Sequence, residues 1–338
     1  MPRLKHSLQD FWPSSPPLSL QVLFSLSCLA LSLTGLILDP RHINGELAWI
    51  KPCKFSISLA LYGATLIWLG RFLSANRALL FATSIGALIG TIVELAAIIL
   101  QALRGTTSHF NTSTPFDHAV FIAVKVAIVP VALAMLVMYV LLLRQRDLPP
   151  VLGSALRWGV FLTLIGLIPG LIMIVPGPIQ AALTSSRQFD GHTVGSAGGG
   201  PGLPWLGWST AAGDLRVAHF VGLHALQILP IIGVGTTRLF PALLTAGQQS
   251  LVRIAGFTYL GSISLLTWQA LQGESIASPG SQTLLLAAIL IALTLLSTTW
   301  TLLPARRESL AGLAIPQAVS SHATESVIGT TLNARSRS

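Results

Sequence analysis

Long apolar runs separated by short polar breaks make up most of this chain. A helix needs about 17–25 apolar residues to cross a hydrocarbon core. Runs of that size lie at roughly 18–38, 54–70, 78–101, 118–143, 158–182, 217–240, 250–271 and 282–304. The second is the shortest, and Pro169, Pro176 and Pro178 interrupt the fifth, which is therefore the helix expected to be broken. Residues 1–17 are polar and Pro-rich and read as a tail. After Arg306 and Arg307 the chain is rich in Ser, Thr and Ala, which predicts a disordered tail over 305–338. The pattern thus predicts an all-α, polytopic transmembrane helix bundle of about eight spans over 18–304, with an outer Gly-rich loop at 183–216.

Composition agrees with a membrane protein. The chain is 52% hydrophobic and 9% charged, where a soluble domain carries about 25% charge. It cannot cover a water-facing surface, and its expected partner is the lipid bilayer of the cell's inner (plasma) membrane. The net charge of +9 is scattered, with no basic run or basic face, so it signals topology and not nucleic-acid binding. With the N-terminus inside, 13 Lys and Arg fall in cytoplasmic segments and 6 in outer ones, which predicts that both termini are cytoplasmic. Cys28 and Cys53 form no C-x-x-C, so neither a disulfide framework nor a thiolate metal site is expected. The first run ends in Leu38-Asp39-Pro40 without a small-x-small site, so no cleavable signal peptide is expected.

This orientation gathers polar chemistry at one end. Six of the eight histidines, His42, His109, His118, His192, His219 and His224, fall on the outer side or in the outer half. Glu94 and Lys125 each lie about 10 Å below the outer boundary, and His224 reaches a similar depth on the sixth helix. Ionisable groups at such depth are costly and usually mark function. Thr83, Ala87, Gly90, Glu94 and Gln101 share one stripe of the third helix, and His118 and Lys125 share one face of the fourth. On the sixth, Arg216, Phe220, His224 and Gln227 fall within an arc of roughly 80°, with His219 beyond its edge.

Each feature has a plainer reading. Glu94 and Lys125 make an intramembrane ion pair that locks the bundle, and His224 with Gln227 supplies hydrogen-bond glue. Trp205 and Trp208 serve as interfacial anchors, and Lys51 and Lys54 snorkel from a helix start. His219 and His224 are five apart, unlike the i, i+4 histidines of a helical zinc site, so metal ligands would have to come from different helices. Asp190 and His192 sit in an outer turn and could complete such a set. In the loop at 104–118, Asn111 begins an Asn-Thr-Ser sequon, and Asp117 reads as the cap of the fourth helix.

Three outer segments, KPCKFSISLALY (51–62), RGTTSHFN (104–111) and GDLRVAHFVGLHALQILP (213–230), resemble a group of uncharacterised bacterial polytopic integral membrane proteins. The resemblance covers most of residues 40–240 and implies an outer-face site without specifying a reaction. Three functions stay open. Haem or a transition metal could be held by His118, His219 and His224, with Asp190 and His192 from the loop. An ion- or proton-coupled small-molecule transporter would use Glu94, Lys125 and His224 as a relay. A membrane-embedded enzyme on a lipid or lipid-linked substrate would take His219 or His118 as base and Arg216 as headgroup ligand. Asp214, Gln227, His109, Asn111 and Asp117 complete the candidate ligand set.

Overall fold

A computed structural model describes residues 15–73, 77–174, 189–196 and 200–313. Its helices are α1 (Pro16–Leu38), α2 (Ile50–Gly70), α3 (Arg77–Leu103), α4 (Pro115–Arg144), α5 (Pro150–Ile174), α6 (Leu215–Leu223), α7 (Ala225–Leu239), α8 (Thr245–Leu271) and α9 (Ser281–Leu313). Seven are long and apolar enough to cross a membrane, and α6 with α7, bent by 48°, makes an eighth if the pair counts as one span. The protein is an all-α, multi-pass helix bundle.

α1, α2 and α3 pack against one another, α3 packs on α4, and α4 packs on α5. α5 supports the bent α6–α7 span and α8, while α9 packs on α8. Only 6% of the most apolar stretch of α9 is buried, as suits a helix facing lipid chains. α3 and α4 approach closely because their contact face is small. A Cβ at Gly90 would stand 2.7 Å from the Ala127 carbonyl oxygen. Gly90, Ala87, Glu94 and Gln101 are buried there as the stripe predicts, although Thr83 is only half-buried.

The element boundaries differ from expectation in three places. α2 begins at Ile50, because Trp49, Lys51 and Pro52 belong to the helix start; Pro in a first turn forfeits no helical hydrogen bond. α5 is continuous through Pro169, and among the described residues the bent span is the sixth; Pro176 and Pro178 lie outside the described residues. α9 also runs on as helix to Leu313, into the predicted tail.

The break in the sixth span has a local cause. His224 sits between α6 and α7 at φ −84°, ψ −1°, in the bridge region. Pro230 has no N–H for the Leu226 carbonyl, so the ladder is already interrupted one turn on. Neighbouring helices take up the freed groups. The Leu226 N–H donates to Thr163 Oγ1 at 3.1 Å, and Tyr259 donates to the Val221 carbonyl at 2.6 Å. In lipid such groups find protein partners or none. Gly166 and Gly222 make the crossing of α5 and α6 so close that a Cβ on Gly166 would lie 2.5 Å from the Gly222 backbone.

The loops at one end form a cap over the bundle. β1 (His42–Ile43) and β2 (Glu46–Leu47) make a hairpin, and β3 (Phe189–Asp190), β4 (Thr193–Val194) and β5 (Gly213–Asp214) a small antiparallel sheet. Charge asymmetry predicts that this end is the outer one.

Candidate functional site: a buried Lys–His–Glu chain at the loop-rich end

Among the described residues five acid–base contacts lie at the capped end: the ion pairs Asp39–Arg41, Glu46–Lys54, Arg104–Asp117 and Asp214–Arg216, and the hydrogen-bonded contact of Glu94 with His109. Four of them are clamps between helix ends and cap. Asp39 accepts from Arg41 and from the indole N–H of Trp49, and the Arg41 guanidinium first, with that indole second, holds its carboxyl well below the usual range. Lys54 bridges Glu46 and the Leu206 carbonyl at 3.3 and 2.8 Å.

Asp117 is the third residue of α4. Its carboxylate accepts from Gln101 at 2.8 Å, from Arg104 and from the Thr114 hydroxyl, tying the end of α3 to the start of α4. The cap of α4 is Thr114, not Asp117: its Oγ1 accepts the Asp117 N–H. Asp214 caps α6, accepts the Ser209 N–H at 2.9 Å and holds Arg216 through both oxygens, while Arg216 also donates to the Gly207 carbonyl. Arg216 and Asp214 therefore pin the 204–213 loop to α6. Asn111 is 5% exposed and donates to Thr106 and Thr107, so its amide is committed to the loop and not presented as a glycosylation acceptor.

Glu94 and His109 differ from these clamps, because they are linked into a chain. Glu94 lies on the buried face of α3, 8% exposed. The 104–114 loop folds back over it, and Phe110, in the left-handed region at φ 59°, reverses the backbone so that His109 turns inward. His109 Nε2 stands 3.2 Å from Glu94 Oε1. Its other nitrogen, Nδ1, is 3.2 Å from Lys51 Nζ and 3.0 Å from Ser108 Oγ. An ammonium only donates, so Nδ1 must accept and Nε2 must carry the proton toward Glu94. The imidazole is thus a bridge between a cation and an anion. Rings of Phe55, Phe110 and Phe121 surround it at 5.8, 6.2 and 6.5 Å. Burial first and the Lys51 cation second push His109 down, against the opposing pull of Glu94. His192, 5.8 Å from Phe110 in the cap, is pushed down to about 3 by burial and then by Arg216.

The remaining sequence candidates are dispersed. Glu94 is bonded to His109 and not to Lys125, whose ammonium lies 4.2 Å from the Phe121 ring centroid. The expected pair was drawn from helix depth and phase, and a loop histidine reaches the carboxylate instead. His118 is exposed on α4. His219 packs into α5, with Nδ1 2.7 Å from the Gly166 carbonyl and its ring over Gly170, within electrostatic reach of Glu94 and His109. His224 lies at the break with its ring 4.3 Å from Phe220. The bend turns Gln227 away from the expected arc, and it donates to Thr65 of α2 at 3.2 Å. Among the described residues no three His, Cys, Asp or Glu side chains converge as a metal site. α4 packs chiefly on α3 and α5 and α6 on α5 and α8, so their histidines are not carried on facing helices as a haem would need. Asp190 pairs with Thr193 through the backbone of the small sheet.

An open cleft of about 250 Å³ lies in the cap between the hairpin and the 200–207 turn, lined by His42, Glu46, Leu203 and Trp205. Lys51 is the member of this chain that sequence reading took only for a helix-start charge. The signal was its i, i+4 spacing to Phe55, which directs it along α2, whereas Lys54 is turned toward the cap.

No family, no curated protein and no solved structure matches this chain. The three segments singled out in the sequence nevertheless meet at one place: Lys51 comes from the first, Ser108 and His109 from the second, and the Asp214–Arg216 clamp and His219 from the third.

Proposed function

We propose that this multi-pass membrane protein moves protons across the bilayer through Lys51, His109 and Glu94, coupled to the movement of a small solute. The unbroken hydrogen-bonded chain from Lys51 through His109 to Glu94 carries this reading. In the relay step Lys51 gives an Nζ proton to His109 Nδ1 while His109 gives its Nε2 proton to Glu94. Two N–H bonds break, one N–H and one O–H form, and the net charge of the trio stays at zero. Lys51 becomes a neutral amine, the imidazole takes its other tautomer, and Glu94 becomes a carboxylic acid. Water on the capped side reprotonates Lys51. A buried imidazole near neutrality suits this exchange, since neither tautomer requires a further buried charge. The haem and metal readings have no comparable convergence of ligands behind them.

The test is proton movement into liposomes that contain the purified protein and a trapped pH-sensitive dye, driven by a valinomycin-set potassium potential. Wild-type protein acidifies the lumen, and Glu94→Gln and His109→Ala abolish the signal. Equal rates for wild type and Glu94→Gln would contradict the reading. Ser108 Oγ, 3.0 Å from His109 Nδ1, favours a second reading, a nucleophile–base–carboxylate set acting on a lipid ester. Ser108 is only 3% exposed, so that chemistry first requires the cap to open. A fluorophosphonate probe labels Ser108 under the enzyme reading and not under the relay reading.

A further inference from the structure

The relay delivers a proton to Glu94, well short of the far side, and the helices below it carry polar groups that no clamp uses. On α1, Gln21, Ser25, Cys28 and Ser32 are all buried and fall within an arc of about 60°. On α2, Ser56 lies two turns from Gly63, and a Cβ on Gly63 would touch Val22 and Gln21 of α1. Ser56 therefore shares the α1-facing side of α2. On α3, Ser84 bonds to Ser15 at the start of α1 at 3.2 Å, and Thr91 is seven residues on, on the same stripe. The surfaces where α1, α2 and α3 meet thus carry hydroxyls and an amide beside the aliphatic Leu18, Val22 and Leu66.

Most of these groups are occupied. Ser25 and Ser32 bond back to their own helix, and Ser84 bonds to Leu80 and receives Ser15. Three atoms have no protein partner although their residues are 0% exposed: Gln21 Oε1, Ser56 Oγ and Thr91 Oγ1. Buried polar atoms in native proteins almost always have a partner, and water supplies it where protein does not. Helical rise places two of the three on one route below Glu94. Thr91 is about one turn below Glu94, and Ser84 about two turns below Thr91. The Ser15–Ser84 bond sets α1 against α3, so Gln21, six residues past Ser15, stands close to the level of Thr91, seven past Ser84. Ser56, about two turns above the Gln21–Gly63 contact, lies beside the upper end of the route.

We infer that the α1–α2–α3 seam is a water-filled proton path, running from Glu94 past Thr91 and Gln21 toward Ser84 and Ser15 at the opposite end. The inference rests on the relay reading above and extends it across the membrane. Ordered water spans the interval between Thr91 and Ser84, and the unpaired oxygens hold it by accepting hydrogen bonds, as hydroxyls and amide carbonyls can. A purely structural role for the hydroxyls predicts something different, because an unpaired buried hydroxyl contributes nothing that an isosteric methyl would not.

The same proteoliposome assay tests the path with Thr91→Val, which keeps the shape and removes the hydroxyl, beside Thr91→Ser, which keeps the hydroxyl. Thr91→Val is expected to lower proton flux by about tenfold, the effect of about 1.4 kcal/mol on a barrier. Thr91→Ser should restore flux, and Gln21→Met should fall with Thr91→Val. Flux that is lost in Glu94→Gln but unchanged in Thr91→Val and Gln21→Met overturns the path and leaves the relay standing. Absence of proton flux in the wild type overturns both.

Discussion

Glu94, His109 and Lys51 depend on one another at the scale of single residues. Removing either charged end leaves the other buried beside a neutral ring, which costs more than removing both. The account predicts a non-additive double-mutant cycle for Glu94→Ala and His109→Ala, with a coupling of about 0.5–3 kcal/mol in detergent melts. The same cycle between Glu94 and Lys125 should be additive, because Lys125 rests on Phe121 and not on the carboxylate. His192 makes a separate prediction. Its folded value is about 3 against an ordinary 6.5, so below 6.5 the unfolded chain binds a proton that the folded cap does not. Stability is then full above pH 6.5 and falls as pH drops from 6.5 toward 3. A His192→Gln protein should lose less thermal stability than wild type over that range. Sequence reading recognised His109 and Glu94 as candidates but not as partners. Helical depth and phase place residues on helices, and they give no position to a loop side chain that Phe110 turns back into the bundle.

The elements were the most legible level, because each span is a run of apolar residues whose length the bilayer sets. What escaped was the bend in the sixth span. Three prolines in one stretch pointed to the fifth helix, yet a transmembrane helix tolerates proline when neighbours satisfy the freed carbonyl. The sixth span breaks where a single proline coincides with Gly222 and with Thr163 and Tyr259 placed to bond its loose groups. Thr163→Val should therefore strand the Leu226 N–H and destabilise the protein by about 1–3 kcal/mol. Gly166→Ala should do at least as much harm through overpacking, since its Cβ would meet the Gly222 backbone. Thermal melts of the two variants check both expectations. The polar stripe of α1 was readable from spacing alone, but serine in a membrane helix so often bonds to its own backbone that the stripe carries no signal until its neighbours are known.

Seen as a whole molecule, the bundle is polar at one end and apolar around its girth. The ion pairs described here all lie under the cap, while large apolar side chains such as Leu23, Leu33, Phe81 and Leu133 face outward. That polarity makes the topology testable: reporter fusions after residue 200 should read external, and fusions after residue 310 cytoplasmic. The haem reading also has a direct check, since purified protein of that kind shows a Soret band, and the relay reading expects none. The most direct measurement of the central claim is the state of His109 itself, by ¹⁵N nuclear magnetic resonance of histidine-labelled protein in lipid at neutral pH, with the signal assigned by its loss in His109→Gln. The account predicts a neutral ring protonated at Nε2, with Nδ1 accepting, that changes its tautomer balance in Glu94→Gln and again in Lys51→Met. A His109 imidazolium, or a ring indifferent to both substitutions, would contradict it.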